Sequence, residues 1–255
     1  LRESARSDWE SFWRRGRRPG EIYDNRGRVI EEIRRRMDLS GVLTLEVGCA
    51  TARDSDGLAT HGAVPVGLDY SPAALVLARE ATGGRVLLVR GDALALPFRT
   101  GSIDLVFHQG VLEHFRDPAP LLAENLRVLK PGGTLLIDVP QTLHVYTVMK
   151  KILIAIGAWF AGWETQFTRR GLSRLLREQG FVPGEAYARF FSPSLAYRLL
   201  RELLLRLGLA LPLYPVLLSP VHRLRASLRS AVERSPLGTA LGAVIGVFAV
   251  KPGSR

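Results

Sequence analysis

The sequence has a single cysteine, Cys49, in 255 residues. That excludes an internal disulfide and a metal site built from several thiolates, and no metal centre is expected. No uninterrupted apolar run reaches the roughly 20 residues that a bilayer-spanning helix needs; the run from Ile152 to Trp163 has 12. The opening residues, LRESARSDWESFW, lack the apolar core of a secretory signal, so a cytoplasmic setting is the expectation. Lysine is scarce, since 31 of the 35 basic residues are arginine. Arginine suits bidentate phosphate contacts, but so uniform a bias fits genome composition equally well.

What is present is a hydrophobic fraction of 47%, enough for the core of one sizeable α/β domain. The net charge of +11 is unevenly placed. Residues 1–36 carry +4, residues 37–140 carry −4, and residues 141–236, with 14 basic and 5 acidic side chains, carry +9. A mildly acidic centre is thus flanked by basic segments. Near the N-terminus Trp9 and Trp13 are four apart and share a face if the segment is helical. They either pin the segment onto the domain or form a lid over its pocket. Pro19-Gly20 breaks the segment, and Ile22 to Met37 reads as a helix. The chain divides into an N-terminal helical segment or lid, 1–37, and a domain, 38–255, with insertions at about 141–166 and 193–235.

The stretch from Val42 to Asp69 organises the rest. An apolar run, Val42 to Val47, carries one acid, Glu46, and stops at Gly48. The small-residue turn Gly48-Cys49-Ala50-Thr51-Ala52 follows, then a short helix from about Asp54 to His61. A second apolar run, Ala63 to Leu68, ends in Asp69. Strand, glycine turn, helix, strand and acid is the plan of a nucleotide-binding βαβ unit. Further on, Ser71-Pro72 reads as N-cap and first helical residue, with Gly83-Gly84 ending that helix. Strands are expected at Val86–Arg90, Ile103–Phe107 and Thr134–Val139. A helix begins at Asp117-Pro118, and Lys130-Pro131-Gly132-Gly133 forms a turn. Thr168 caps a later helix, Phe181 opens a sixth strand, and residues 243–250 form the last. This alternation predicts a mainly parallel sheet with helices on both faces.

In this order LEVGCATA, GLDYS, GDALALPF, IDLVFHQGVLEHF and VLKPGGTLLI resemble the class I S-adenosylmethionine-dependent methyltransferases, with a type 11-like methyltransferase domain. The resemblance covers roughly residues 40–140, and residues 163–188 and the closing strand match more loosely. It implies a doubly wound, Rossmann-like sheet of seven strands, mainly parallel with the last antiparallel. It also implies S-adenosylmethionine as cofactor and S-adenosylhomocysteine as product. By the same resemblance Gly48 lets the methionine part of the cofactor cross the end of the first strand, with Cys49 and Ala50 completing the turn. Glu46 would orient turn amides or the cofactor's amino group, and Asp69 would accept both ribose hydroxyls. Tyr70 would lie near the adenine, Asp92 would accept from its amino group, and the Ala93 amide would face a ring nitrogen. His108 and Gln109 end the fourth strand, where ligands of open α/β sheets gather. His108 is the first candidate for a catalytic base and His114 the second. Glu113 reads as a solvated or capping carboxylate. Ala50 and Ala52 stand where this family usually has glycine, and a methyl group there is tolerated if φ is negative.

The leading function is methyl transfer to a small-molecule or lipid-linked acceptor. Two alternatives stand beside it: an RNA methyltransferase, and a catalytically inactive cofactor-binding interaction module. The basic insertion is leucine-rich and has few aromatics to stack on bases, which disfavours nucleic acid. A nicotinamide dehydrogenase is disfavoured because Arg53 occupies the third glycine position of its fingerprint. The segment 195–229 mixes Leu with Arg198, Arg201, Arg206, Arg223, Arg225 and Arg229. Two readings fit it: internal packing or an oligomer contact, and a peripheral contact with an anionic membrane.

Overall fold

The computed structural model describes residues 6–14, 27–157, 163–190, 193–214, 227–228, 231–233 and 235–253. Seven strands form one sheet: β1 (Leu43–Val47), β2 (Val64–Asp69), β3 (Leu87–Arg90), β4 (Ile103–Gln109), β5 (Leu129–Pro140), β6 (Val182–Arg189) and β7 (Val244–Val250). Their spatial order is 3-2-1-4-5-7-6. The first five are parallel, and β7 lies antiparallel between β5 and β6. The doubly wound sheet with a reversed last strand is therefore present as expected.

The helices are α1 (Arg6–Arg14), α2 (Arg28–Arg34), α3 (Arg53–Ala59), α4 (Pro72–Thr82), α5 (Ala119–Val128), α6 (Val145–Ala155), α7 (Arg169–Glu178), α8 (Leu195–Arg206) and α9 (Pro236–Leu241). Local chemistry starts several of them. Ser71 Oγ accepts from the Ala74 amide at 3.1 Å, with Pro72 in the first turn of α4. Thr168 Oγ1 likewise accepts from the Gly171 amide at 3.1 Å to open α7. Both caps satisfy an amide that the helix leaves without a partner.

Boundaries move in three places. The helix expected over Ile22–Met37 runs from Arg28 to Arg34, with Gly27 at its N-cap in left-handed backbone (φ 73°); residues 15–26 lie outside the described residues. Lys130-Pro131-Gly132-Gly133, expected as a turn, is part of β5, where a register shift opposite Ile103 and Leu105 absorbs the extra residues. Helix α6 starts at Val145, seven residues before the apolar run, because the His144 ring caps it, Nδ1 accepting from the Tyr146 amide at 3.1 Å.

Strand alternation sends side chains to two faces, and each has its own core. On one, Leu45, Val47, Val106, Leu135 and Ile137 pack with Leu121, Leu122 and Val128 of α5 and Leu172 and Leu176 of α7. On the other, Leu105, Phe107, Leu136 and Phe248 pack with Val29 and Ile33 of α2 and Leu58 of α3. Tyr187 belongs to this second core and lies flat against Gly246 of its neighbour strand. A Cβ built on Gly246 would come 2.1 Å from the Tyr187 ring. Gly246→Ala must push the ring off Asp138, to which the Tyr187 hydroxyl donates at 2.8 Å. We expect a loss of about 1–3 kcal/mol in urea unfolding, the usual cost of overpacking. An unchanged midpoint would show that the ring has room the structure does not display.

Candidate functional site

The carboxyl ends of the parallel strands meet beneath α1. A cavity of about 400 Å³ opens there, walled by Gly48 and Ala50 after β1, Asp69 and Tyr70 after β2, Asp92 and Ala93 after β3, and Gln109 at the end of β4. With His114, eight of the site residues singled out in the sequence thus come together. His114, Val111 and Phe115 close the side beyond β4, and Trp9 and Trp13 of α1 lie over the opening.

The turn after β1 is held by backbone bonds, the Gly48 and Cys49 amides donating to the Leu68 carbonyl at 2.8 and 3.0 Å. Gly48 has φ 69°, and a Cβ there would meet Val111 at 2.6 Å, so only glycine fits. Ala50 and Ala52 both adopt φ 50°. The condition under which a methyl group would sit there without strain, a negative φ, is therefore not met. Left-handed backbone costs an alanine about 1–2 kcal/mol. The Ala50 strain is offset by its amide, which donates to Asp69 Oδ2 at 2.9 Å.

Asp69 is buried, and its other oxygen accepts from the Ser71 amide at 2.9 Å. Burial pushes its carboxyl above the ordinary range, and the amides of Ser71, Ala50 and Tyr70 pull it partly back. A carboxylate offers about four lone-pair sites, so with these amides bound Asp69 can still accept from the cavity it lines. Ser71 also donates its hydroxyl to Glu10, which ties α1 to the start of α4. Asp92 Oδ1 accepts from the Leu94 amide at 3.0 Å, which fixes the loop that carries Ala93.

Three expected site residues do not line the cavity. Glu46 is buried below the turn, where Oε2 accepts from the Ser55 hydroxyl at 2.6 Å and the Ser55 amide at 3.2 Å. It orients the first turn of α3. Burial, and then the charge of Asp54, push its carboxyl well up. The Cys49 side chain packs against Gly67 in a small cluster with Ala78 and Val86; burial raises its thiol as well. His108 is the clearest correction. It follows Phe107 and precedes Gln109, so it points to the opposite face of the sheet from Gln109. It is fully buried with Asn125 Nδ2 3.3 Å from Nε2, and burial alone pushes it down to about 3. A ring enclosed in the core cannot reach an acceptor.

Sequence reasoning missed the polar layer behind the cavity. Gln109 donates to Asp54 Oδ2 at 2.6 Å and accepts from Arg189 at 3.4 Å. Arg189 in turn forms an ion pair with buried Asp138. For Asp138, burial outweighs the pull of Arg189, and its carboxyl stays above the usual range. The alternation of β4 and β5, which pair Gln109 with Asp138, was the available signal.

A second buried group lies beside the short 3-10 turn Leu112–His114. Glu113 is not solvated as expected but buried, and its Oε2 has no hydrogen-bond partner among the described residues. Burial pushes it up to about 8, with Glu164 and Asp138 adding to the rise and Lys150 opposing it. His114 faces the cavity, its ring stacked edge-on to Trp9 at 4.9 Å, and burial pulls it down to about 4.

Residues 45–137 match the family described as Methyltransferase domain. A protein of Mycolicibacterium smegmatis, described as a probable S-adenosylmethionine-dependent methyltransferase, is 35% identical over 99 residues, 39% of this chain and 38% of that one. The demethylmenaquinone methyltransferase of a Parafrankia species is 37% identical over 114 residues, 37% of this chain and 45% of that one. The chain spans less than half the length of these relatives. Among solved structures, a geranyl diphosphate C-methyltransferase from Streptomyces coelicolor A3(2) has a TM-score of 0.59 at 16% identity. The match covers 89% of this chain and 79% of that one, and it shows the shared fold.

Glu113 gives the site a pH signature. A carboxyl raised in the folded state contributes stability that is complete below its unfolded value, 4.5, and is lost as pH rises through about 8. Glu113→Gln should therefore flatten the fall in melting temperature between pH 5 and pH 8.5 (roughly the span of the two values) and be the more stable protein at the alkaline end. Parallel thermal melts across that range measure it. Curves of equal slope would mean that Glu113 is ionised in the folded protein.

Proposed function

We propose that this chain, which carries a class I S-adenosylmethionine-dependent methyltransferase domain, transfers a methyl group to a small-molecule or lipid-linked acceptor. The observation that carries the reading is the Asp69 carboxylate. It is fixed by two backbone amides and still able to accept hydrogen bonds, at the wall of a cavity of about 400 Å³. That volume lies within the range of small-molecule and cofactor sites. The residues present fit the cofactor. Asp69 accepts the ribose hydroxyls through charge-assisted bonds, Gly48 leaves the end of β1 open to the methionine part, and Tyr70, Asp92 and Ala93 form the adenine side. Glu46 acts from below through the turn, and Gln109 faces the acceptor end.

S-adenosylmethionine supplies a methyl group on a sulfonium, already activated for transfer. The protein has to align the acceptor and exclude water. Trp9 and Trp13 do this as a lid that the Glu10–Ser71 bond holds closed. His114, pulled down to about 4, is neutral near pH 7 and too weak a base to hold a proton there; it orients the acceptor. Relatives named for demethylmenaquinone and for ubiquinone biosynthesis favour a quinone-type acceptor. A peripheral membrane contact through 195–229 belongs to the same reading, although 215–226 and Arg229 lie outside the described residues. No described helix is long and apolar enough to cross a membrane.

Two experiments test the reading. Calorimetry should show S-adenosylhomocysteine binding that Asp69→Ala weakens by about 1.5–3 kcal/mol, as for hydrogen bonds to a charged group. No binding, or binding of NADH instead, would refute it. Trp13→Ala should lower turnover on a demethylmenaquinone-type acceptor about tenfold while the melting temperature holds, because packing over the reacting groups is lost. Full activity without the indole would leave α1 as a structural strap.

A further inference from the structure

The methionine part of the cofactor ends in an α-ammonium, and a cation drawn out of water needs a carboxylate close by. Most of the acids around the cavity are committed elsewhere. Asp69 and Asp92 stand on the ribose and adenine sides. Glu46 lies under the cradle turn, where its Oε2 accepts from the Ser55 hydroxyl and amide and burial pushes it toward the protonated form. Asp138 is buried and already meets the Tyr187 hydroxyl and the Arg189 guanidinium. Glu113 lies beyond β4, and burial pushes it up to about 8.

Asp54 is the acid that remains beside the turn. It sits in the first turn of α3, directly after the cradle, and is half-buried. Its Oδ2 accepts at 2.6 Å from Nε2 of Gln109, which lines the cavity. The Oε1 atom of Gln109 accepts in turn from Arg189. The amide is therefore held one way round, nitrogen to the acid and oxygen to the cation. The charge of Asp54 acts on Glu46 of β1 and on Arg189 of β6. Together with the Gln109 bond, this places Asp54 between the ends of β1 and β4. That is the side on which Gly48 leaves the sheet open. The neighbouring cation, Arg53, leans on the turn, with Nε donating to Thr51 Oγ1 at 3.2 Å. A carboxylate offers about four lone-pair sites, so the Gln109 bond does not exhaust Asp54.

We propose that Asp54 binds the α-ammonium of the cofactor's amino-acid tail, with Gln109 holding its carboxylate in place. The inference deepens the cofactor reading above and rests on it. Recognition then divides between two acids, Asp69 for the nucleoside and Asp54 for the tail. The tail is read from α3, and Glu46 is left to hold the turn.

Calorimetry with S-adenosylhomocysteine and its deaminated analogue tests this. On the parent protein the deaminated ligand should bind about ten- to a hundredfold more weakly, the range for a hydrogen bond to a charged group. Asp54→Asn keeps a carbonyl for the Gln109 amide and removes only the charge. It should weaken S-adenosylhomocysteine by about the same factor and leave the deaminated ligand within about twofold, so that the two losses are not additive. Undiminished binding of the deaminated ligand also reports an intact fold. Asp69→Ala should weaken both ligands alike, since both carry the ribose. Equal affinity of the parent for the two ligands overturns the assignment of Asp54, and this measurement needs no variant. Equal losses of both ligands in Asp54→Asn overturn it too, and make Asp54 a residue that shapes the turn. Either result leaves the cofactor reading standing, whereas binding of neither ligand overturns that reading and this inference with it.

Discussion

The Asp69 carboxylate is the junction on which the site depends. One oxygen holds the Ala50 amide in the turn after β1, and the other holds the Ser71 amide at the start of α4. Through the Ser71 hydroxyl the same junction reaches Glu10 and so α1. Two alanines in left-handed backbone cost about 1–2 kcal/mol each, and a hydrogen bond to a charged group contributes about 1.5–3 kcal/mol. The bonds of the carboxylate are thus of the right size to keep a turn that alanine would otherwise abandon. The group proposed to bind the ribose is also the group that shapes the cradle, so recognition and local folding share one residue.

Behind that junction lies a polar layer set by strand parity. Glu46, Gln109 and Asp138 lie at or near the ends of their strands on the face covered by α2 and α3, and each meets a partner from another element. Buried networks of this kind are costly when incomplete. Loss of Arg189 would leave buried Asp138 with the Tyr187 hydroxyl alone, and breaking a buried ion pair costs about 3–5 kcal/mol. The layer gives the site a rigid floor, while the walls come from loops after the strands and the cover from α1. Such a division suits a reaction in which alignment matters more than proton transfer.

Helix α6 departs from the logic of the rest of the molecule. Everywhere in the two cores apolar side chains point in. In α6 an ion pair, Lys150 with Glu164, points in and an aliphatic stripe, Val145, Val148, Ile152 and Ile156, points out. The groups that α6 meets, the Gln141 carbonyl and the Glu164 carboxylate, are polar, so a polar inner face is the matching one. The apolar face is then left to whatever surface lies beyond.

The sequence by itself determined the sheet and the cradle. Alternating apolar runs, the Ser71 and Thr168 caps, and the single glycine turn followed by Asp69 are local signals, and each formed where its own residues required. Eight of the expected cavity residues meet for that reason. Boundaries slipped where pairing decided them, as in β5, whose Lys130–Gly133 reads locally as a turn but is held by neighbours far along the chain. Tertiary structure alone decided the rest. His108 and Gln109 are adjacent and both polar, and only the direction of the pleat, fixed by which face each core claims, puts one in the cavity and the other in the core. The sign of φ at Ala50 depended on a carboxylate 19 residues away. The inversion of α6 depended on Glu164 and Gln141, because an apolar helix shows which side it buries only when its partner surface is known.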